Sequence, residues 1–374
     1  MTIADKAAQA LEAQGGDLVE PTLLIEAAVP LELSGEAVRS RICTFTDARS
    51  KEWALRPDLT LPVAQAEVAA RQDEPLGETL RRYRGPVFRL PVVQGEPIEY
   101  EQVGLERFGA PSSVEQDAWL FETLIEASKA CGAEQGHTSF GDLAVFPAFV
   151  DALGFPEDVT AGLKRAFRQE GGVRAYLSGQ QRSRTGLPAR VSGMAREDIT
   201  DLVEDIFSIT GVRPVGERST DEIVERLYAR SGIASGFEIS DEQSVLLERV
   251  LTLDLPFQEA PQALMRIAKE GGLSGVDDML QNFQDRTGQL SAKDSSFTKT
   301  ARFAPRFGRR FTYYDGFVFE IASDDSEDAM KRPYVAGGRY DSLLSDLSSG
   351  AVNATALGGI IIPHRLQAKL GASS

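Results

Sequence analysis

Residues 88–106, FRLPVVQGEPIEYEQVGLE, decide the fold because they have the pattern of a long β-hairpin with polar groups on its return strand. Successive side chains of a strand alternate between its two faces, so Tyr100, Gln102, Gly104 and Glu106 share one face. Gln102 and Glu106 would lie about 13 Å apart, at about 3.3 Å per residue. The glycine between them would leave space for a small polar ligand. The alternative is a solvated outer face, and the local pattern leaves both interpretations open.

The charges of this hairpin suggest conflicting roles, because one arginine suits an anion and three glutamates oppose one. Arg89 stands where a strand pair that holds an anion would place a cation, whereas Glu96, Glu99 and Glu101 fill the tip and the return strand. The whole chain is acidic as well, with a formal net charge of −16 and a pI near 4.8. Because nucleic-acid affinity comes largely from neutralising phosphates, we expect no nucleic-acid partner.

The composition is that of a soluble globular protein. The 374 residues are 42% hydrophobic and 26% charged, and they contain no run of about 18 apolar residues that would predict a membrane span. The first residues lack the basic-then-apolar pattern of a signal peptide. Two cysteines and two histidines are too few for a disulfide framework or an imidazole-based metal site. We therefore expect a cytoplasmic protein without metal or cofactor.

The distribution of helix and strand patterns along the chain predicts an α+β core that is interrupted by a helical segment. Short helices and strands mix in residues 1–154, helical patterns dominate in 155–295, and strand patterns return in 296–374. Within the core, Ser113 with Gln116 has the pattern of a capping box before a helix with an apolar stripe. That stripe consists of Ala118, Phe121, Leu124 and Ile125. In the helical segment, Ser240 with Gln243 predicts a second capping box.

Polar residues also cluster in LRPDLTLPVAQ, residues 55–65. If this segment is extended, Arg56, Asp58 and Thr60 share one face and could bind a ligand. The alternative is an Arg56–Asp58 ion pair, which contributes little at a surface.

Three further segments near the C-terminus combine turns with polar groups: GRRFTYYDGFVFE (308–320), AGGRYDSLL (336–344) and ALGGIIIPHRL (356–366). The last has the pattern of a strand that leads into a helix with Pro363 in its first turn. Arg365 then lies near a helix N-terminus, where the macrodipole disfavours a cation, so a nearby anion would suit it.

In chain order, these motifs resemble the catalytic core of histidyl-tRNA synthetases. They are Arg-Pro-acid-x-Thr, Gly-Pro-x-Phe-Arg, Gln-x-Gly-x-Glu, Tyr-Tyr-x-Gly-x-Val-Phe-Glu and Gly-Gly-Arg-Tyr-Asp. The resemblance implies a class II aminoacyl-tRNA synthetase-like fold, an antiparallel sheet flanked by helices, with a mostly helical insertion. It also implies self-association as a dimer through a motif that includes Pro21.

The same resemblance implies a pocket for L-histidine. By position, Asp58, Thr60 and Gln102 would hold the amino group, Glu106, Tyr314 and Tyr340 the imidazole, and Arg309 the carboxylate. This assignment suits the chemistry, because an ammonium binds carboxylate and hydroxyl acceptors and a carboxylate binds a guanidinium. Asp58 stands where the family usually has glutamate, which predicts a weaker or water-mediated contact.

The nucleotide half of the pattern departs from the synthetases. Arg89 and Arg365 match arginines that contact ATP in that family, so the resemblance makes them a vestigial nucleotide site. The loop after Arg89 contains no cation and instead places Glu96 and Glu99 where phosphate charge would develop, which should repel a nucleotide. The chain also ends soon after the last motif, and we expect no anticodon-binding domain.

This combination resembles the regulatory-subunit family of ATP phosphoribosyltransferase, a histidyl-tRNA synthetase-like group. The resemblance implies a non-catalytic subunit that assembles with the short-form catalytic subunit, is required for its activity in the first step of histidine biosynthesis, and contributes to histidine feedback. Two alternatives stay open: a truncated ligase that still forms histidyl-adenylate, and a free-standing histidine sensor.

Overall fold

The computed structural model describes residues 1–34, 36–74, 77–92, 95–169, 171–182, 191, 194–210, 223–225, 227, 237, 239–292, 295–308, 313–324, 326 and 332–372. By internal contacts these residues form two compact units. The first comprises Met1–Val145, Thr252–Met265 and Asp277–Ser374, and the second Phe146–Leu251 and Arg266–Val276.

The strands of the described residues belong to two sheets. In chain order they are β1 Asp17–Val19, β2 Leu24–Glu26, β3 Thr44–Thr46, β4 Glu52–Leu55, β5 Thr79–Phe88, β6 Glu99–Phe108, β7 His137–Asp142, β8 Leu255–Pro256, β9 Arg302–Phe303, β10 Phe317–Ala322, β11 Val335–Arg339 and β12 Ala356–Ile361. The large sheet has the order β1-β5-β6-β12-β11-β10-β7-β9-β8, and the small sheet the order β2-β4-β3.

Helices occur in both units. In chain order they are α1 Ile3–Glu12, α2 Ala28–Leu33, α3 Glu36–Arg39, α4 Thr60–Asp73, α5 Val114–Ala130, α6 Val145–Ala152, α7 Glu157–Phe167, α8 Gly172–Arg182, α9 Arg196–Thr210, α10 Asp241–Thr252, α11 Ala260–Glu270, α12 Asp277–Ala292, α13 Ser295–Thr298, α14 Leu343–Leu347 and α15 Pro363–Ala372, with a 3₁₀ turn at Phe257–Glu259. None of these helices combines the length and the hydrophobicity needed to cross a membrane.

The large sheet confirms the predicted α+β core. Its strands pair antiparallel except at β1–β5 and β7–β9, which are parallel. Helix α5 packs against β11 and β12. The stripe predicted for this helix, Ala118, Phe121, Leu124 and Ile125, is buried. Phe121 contacts Phe140 and Phe319 at ring-centroid distances of 5.2 and 5.0 Å, so one aromatic cluster joins the helix to the sheet.

The two predicted capping boxes have different outcomes. Ser240 and Gln243 exchange both hydrogen bonds, at 3.0 and 3.2 Å, as the pattern predicts. Ser113 precedes α5, but its side chain makes no capping hydrogen bond, so that prediction is wrong.

The second unit is built of helices with their own small cores. Phe146 stacks on Phe167 with ring centroids 4.7 Å apart. A separate cluster buries Val191, Ile199, Val203 and Val224. The limits of this unit differ from those of the predicted helical segment, residues 155–295, and the insertion stays a prediction.

Residues 252–265 and 277–292 group with the first unit rather than the second, for reasons of pairing and packing. Strand β8 pairs with β9 at the edge of the large sheet. Helix α12 packs on α5, where Arg286 Nε donates a 2.8 Å hydrogen bond to Asp117. Such distant partners are invisible to local periodicity, which finds a helix without locating its neighbours.

The small sheet has one buried face and one exposed apolar face. In its register Leu24 pairs with Leu55, and Phe45 with Trp53, so these four side chains share a face. Leu24 and Phe45 are 42% and 45% exposed there. The opposite face buries a cluster of Ile25, Ala27, Ile42 and Ala54.

Candidate functional site

The β5–β6 hairpin supplies the floor of the site. Gln102 and Glu106 are both 0% exposed, so the solvated-face interpretation of this strand is wrong. The expectation of open space over Gly104 is also wrong. A Cβ at position 104 would lie 2.7 Å from the hydroxyl oxygen of Tyr83, whose ring covers the glycine. Gln102 and Glu106 therefore point into packed protein.

Glu106 is the centre of the first compartment, which we call the carboxylate pocket. Thr60 Oγ1 donates a 2.7 Å hydrogen bond to Glu106 Oε1, and the Tyr83 hydroxyl donates another of 2.6 Å to the same oxygen. The Tyr340 hydroxyl bonds to Glu106 Oε2. Burial raises the pKa of Glu106 to about 8, although the hydroxyls of Tyr83 and Thr60 oppose that shift.

A glycine on the neighbouring strand makes room for this carboxylate. Gly358 of β12 stands opposite Glu106 in the sheet register. A Cβ at position 358 would overlap Glu106 Oε2 and lie 2.6 Å from the main-chain oxygen of Leu105. Similarly, a Cβ at Gly338 would lie 2.9 Å from a ring carbon of Tyr314. These glycines are required by the side chains that lie across them.

Asp58 and Thr60 do not share a strand face, because α4 begins at Thr60. They nevertheless approach the same region, and both are buried. Asp58 Oδ1 accepts a 3.0 Å hydrogen bond from Leu61 N, while Oδ2 lies 4.0 Å from Arg89 Nη2. Burial raises the pKa of Asp58, and the positive charge of Arg89 opposes the shift.

Arg56 has a structural role instead of the predicted ion pair with Asp58. Its guanidinium donates to the carbonyl oxygens of Pro86 at 2.8 Å and Thr22 at 3.2 Å, and also to that of Pro21. It therefore ties the chain before β2 to the end of β5. The Arg56–Asp58 alternative is wrong.

Gln102 is a buried polar side chain of β6. Neither its amide nitrogen nor its amide oxygen has a hydrogen-bond partner among the described residues, and the side chain is fully buried. Asp58 Oδ2 is likewise buried and has no hydrogen-bond partner among the described residues. Buried polar atoms are nearly always hydrogen-bonded in folded proteins, so an orphaned donor and orphaned acceptors point to a partner with both kinds of group.

Tyr313 and Tyr314, from the TYYDG segment, lie near the carboxylate pocket. The ring centroids of Tyr313 and Tyr314 are 4.8 Å apart, and those of Tyr314 and Tyr340 are 5.9 Å apart. Burial raises the pKa of Tyr314, and the negative charge of Glu106 raises it further. Tyr83 and Tyr313 had no place in the sequence-based pocket. Arg309, the predicted carboxylate ligand, lies outside the described residues.

The Gly-Gly-Arg-Tyr-Asp motif divides between site and scaffold. Tyr340 reaches Glu106, whereas Arg339 Nε donates a 2.9 Å hydrogen bond to Asp117 on α5. Asp341 Oδ1 accepts hydrogen bonds from Arg339 at 3.1 Å and from the Ala356 amide at 2.9 Å. These bonds hold β11, α5 and β12 together and so fix the position of Tyr340.

A second group, which we call the arginine compartment, lies at the hairpin tip. It comprises Arg41, Arg89 and Arg365 around Tyr100 and Glu96. Arg365 Nη2 lies 2.8 Å from Glu96 Oε1, and its guanidinium carbon is 5.7 Å from the Tyr100 ring centroid. Arg41 Nη2 lies 3.9 Å from Glu96 Oε2. Arg41 belongs to no recognised motif, so only the folded arrangement reveals it.

The structure therefore assembles Asp58, Thr60, Glu106, Tyr314 and Tyr340 around one buried region, with Arg89 at its border. Gln102 is buried on the same strand as Glu106. Each of their ligand contacts stays a prediction. In the described part of the chain, no three His, Cys, Asp or Glu side chains lie close enough to hold a metal ion.

Comparison with known proteins gives a consistent set of relatives. The sequence profile of histidyl-tRNA synthetase matches residues 1–183. An ATP phosphoribosyltransferase regulatory subunit from Chelativorans sp. is 30% identical over 344 residues, which are 87% of this chain and 86% of the relative. The protein of the same name from Brucella anthropi is 30% identical over 377 residues, 96% of this chain and 95% of the relative.

Solved structures match the fold. An ATP phosphoribosyltransferase regulatory subunit/histidyl-tRNA synthetase from Bacillus halodurans C has a TM-score of 0.64 at 19% identity, covering 98% of this chain and 78% of the other. Histidyl-tRNA synthetase from Nostoc sp. has a TM-score of 0.58 at 14% identity, covering 99% and 71%. The predicted class II synthetase-like fold is confirmed. By the extent of its similarity to the curated relatives, this chain belongs to the family of ATP phosphoribosyltransferase regulatory subunits.

Proposed function

We propose that this chain is the non-catalytic regulatory subunit that the short ATP phosphoribosyltransferase catalytic subunit requires for activity, and that it mediates histidine feedback in the first step of histidine biosynthesis. Its family membership supports the partnership. The observation that carries the histidine part is the buried, hydroxyl-ringed Glu106 near the orphaned Asp58 Oδ2, together with the orphaned amide of Gln102 on the same strand.

The carboxylate pocket suits an amino acid with a basic heteroaromatic side chain. Glu106 can accept a hydrogen bond or a proton from an imidazole edge, and Tyr314 lies beside it. The ammonium group can donate to Asp58 Oδ2 and to the Gln102 amide oxygen. Thr60 already gives its hydrogen to Glu106, but the lone pairs of its oxygen can still accept from an ammonium.

We predict that Tyr314→Phe weakens L-histidine binding by about fivefold without unfolding the chain, because it removes one buried hydroxyl at a cost of about 1 kcal/mol. Isothermal titration calorimetry with L-histidine checks this result. Tyr334→Phe is the matched control, since its hydroxyl faces the Gln135 carbonyl at 3.4 Å, away from Glu106. Unchanged affinity in Tyr314→Phe would remove Tyr314 from the pocket.

Reconstitution tests the function as a whole. We predict that phosphoribosyl-ATP formation by a short-form catalytic subunit from the same source depends on this chain and falls as L-histidine is added. Catalytic activity that is indifferent to this chain would contradict the proposal. Histidine-stimulated ATP–pyrophosphate exchange by the chain alone would instead favour the ligase alternative. Histidine binding without any effect on the catalytic subunit would favour the sensor.

The proposal includes action in the cytoplasm and self-association as a dimer. The free cysteines Cys43 and Cys131 suit a reducing compartment. The exposed face of the small sheet, with Leu24 and Phe45, supplies an apolar surface for a second copy. Because Leu24 lies close in sequence to Pro21, this surface coincides with the segment to which the dimer was assigned by resemblance.

We predict that Phe45→Glu converts the dimer to a monomer, because two copies of a self-complementary patch would each bury an unpaired carboxylate. Sedimentation velocity checks the change in mass. Ile209→Glu is the control, because Ile209 is 84% exposed but lies in the second unit. A dimer that survives Phe45→Glu would place the interface elsewhere.

A further inference from the structure

The arginine compartment gathers three like charges in a small, largely buried volume. Burial lowers the pKa of Arg41, and the positive charges of Arg89 and Arg365 lower it further. The side chains of Arg89 and Arg365 are each 10% exposed. Cations with so little exposure to solvent require a nearby anion, because solvent screens their charges only weakly.

Glu96 supplies that anion from within the chain. Its carboxylate lies between Arg365 and Arg41, with one oxygen 2.8 Å from the first guanidinium and the other 3.9 Å from the second. The Glu96 side chain is only 10% exposed, although it belongs to the hairpin tip. A carboxylate so enclosed is in the position that a bound phosphate group would take between two guanidinium groups.

The backbone of the tip is folded to return Glu96 to this place. Arg89 N donates to the Ile98 carbonyl at 2.9 Å, which closes the loop at its base. Leu90 N donates to the Arg41 carbonyl at 2.9 Å, and Arg41 Nε donates back to the Leu90 carbonyl at 2.6 Å. Gly95, with φ of 90°, turns the chain immediately before Glu96. These bonds join the base of the hairpin to Arg41, and the Glu96 ion pair joins the tip to Arg365.

We propose that Glu96 is a built-in anion that occupies an oligophosphate-binding position between Arg41 and Arg365 and so keeps the chain from binding nucleotides and pyrophosphate. Glu96 thus determines the specificity of the site. Glu99 has no such role, since it is exposed at the first position of β6. The sequence predicts that Glu96 and Glu99 both repel a nucleotide. In our proposal only Glu96 excludes the nucleotide, and it does so by occupying the phosphate position rather than by repulsion at a distance.

This inference does not depend on histidine binding, because the carboxylate pocket around Glu106 uses a different set of side chains. Glu96→Gln removes the charge but retains the size of the side chain, so Arg41 and Arg365 would lose their internal counter-ion. A multivalent anion then becomes the best available partner for Arg41 and Arg365.

The test is calorimetric titration of inorganic pyrophosphate into the full chain at low ionic strength without divalent metal. Glu96→Gln is expected to bind pyrophosphate at least about tenfold more tightly than the wild type, with the gain lost in Glu96→Gln/Arg365→Gln. Glu99→Gln, the matched control in the same hairpin, is expected to bind as the wild type does. Pyrophosphate should also raise the thermal midpoint of Glu96→Gln alone among these single variants.

Equal pyrophosphate affinity in Glu96→Gln and the wild type would overturn the proposal, as would an equal gain in Glu99→Gln. If Glu96→Gln does not fold, Glu96→Asp provides the same comparison, because the shorter side chain withdraws the carboxylate by one methylene. Tighter pyrophosphate binding by Glu96→Asp than by the wild type supports internal occupancy, and unchanged binding contradicts it.

Discussion

Gly358→Ala is expected to abolish ligand binding in the carboxylate pocket and to lower the free energy of unfolding by about 3 kcal/mol, the upper range for overpacking a core. The new methyl group would overlap Glu106 Oε2 and press on the Leu105 carbonyl at 2.6 Å. The carboxylate cannot simply turn aside, because Thr60, Tyr83 and Tyr340 hold it with hydrogen bonds. Either these bonds break or β6 and β12 separate.

Urea unfolding and histidine titration together check this prediction. Gly288→Ala is the matched control, since Gly288 lies on an exposed position of α12 and a Cβ there meets nothing within 4 Å. That control should be neutral or slightly stabilising, as Gly→Ala usually is within a helix. A Gly358→Ala variant with wild-type stability and binding would show that Glu106 does not lie across β12.

The second large effect is the pH dependence of stability that Glu106 imposes. Its pKa rises from 4.5 to about 8 on folding because of burial. Below pH 4.5 the folded and unfolded states both hold this proton, so the contribution of Glu106 to stability is fully present. As the pH rises towards 8, only the unfolded state releases the proton freely, and stability is lost. At about 1.4 kcal/mol per pH unit, the loss over this window is about 5 kcal/mol.

Glu106→Gln is expected to remove this part of the pH dependence, because glutamine mimics the protonated carboxyl and titrates nowhere in the range. Urea unfolding of both proteins at intervals from pH 4.5 to 8.5 gives the difference directly, since all other titrating groups are shared. The free energy of unfolding of Glu106→Gln, relative to that of the wild type, should increase as the pH rises. Parallel stability curves would mean that Glu106 is ionised throughout, held so by its three hydroxyl donors.

Local patterns in the sequence were informative where structure depends on neighbouring residues. The α5 stripe, the Ser240–Gln243 capping box and Pro363 at the start of α15 all follow from short-range periodicity or capping chemistry. The extended interpretation of 55–65 failed because α4 begins at Thr60, within the segment. The order of motifs identified the family, and the structure brings most of the assigned residues into one region.

Partners that are distant in sequence could not be predicted from it. Nothing local to Arg56 indicates that its donors bind the Pro21, Thr22 and Pro86 carbonyls instead of Asp58. Tyr83 likewise follows an ordinary strand pattern, yet its ring fills the space over Gly104. Both cases depend on side-chain reach across the sheet, which periodicity does not encode.

The pairing of Glu106 with Tyr340 has a consequence for synthesis on the ribosome. These residues are 234 positions apart, and the glycine that admits the carboxylate comes later still. When the β5–β6 hairpin of a nascent chain has left the ribosome, Tyr340 and β12, the partners of Glu106, have not yet been synthesised. Bringing such distant residues together later carries an entropic cost of loop closure. The ligand affinity that we propose therefore requires the last strand, and we expect that unfinished or truncated chains do not compete with complete ones for the ligand.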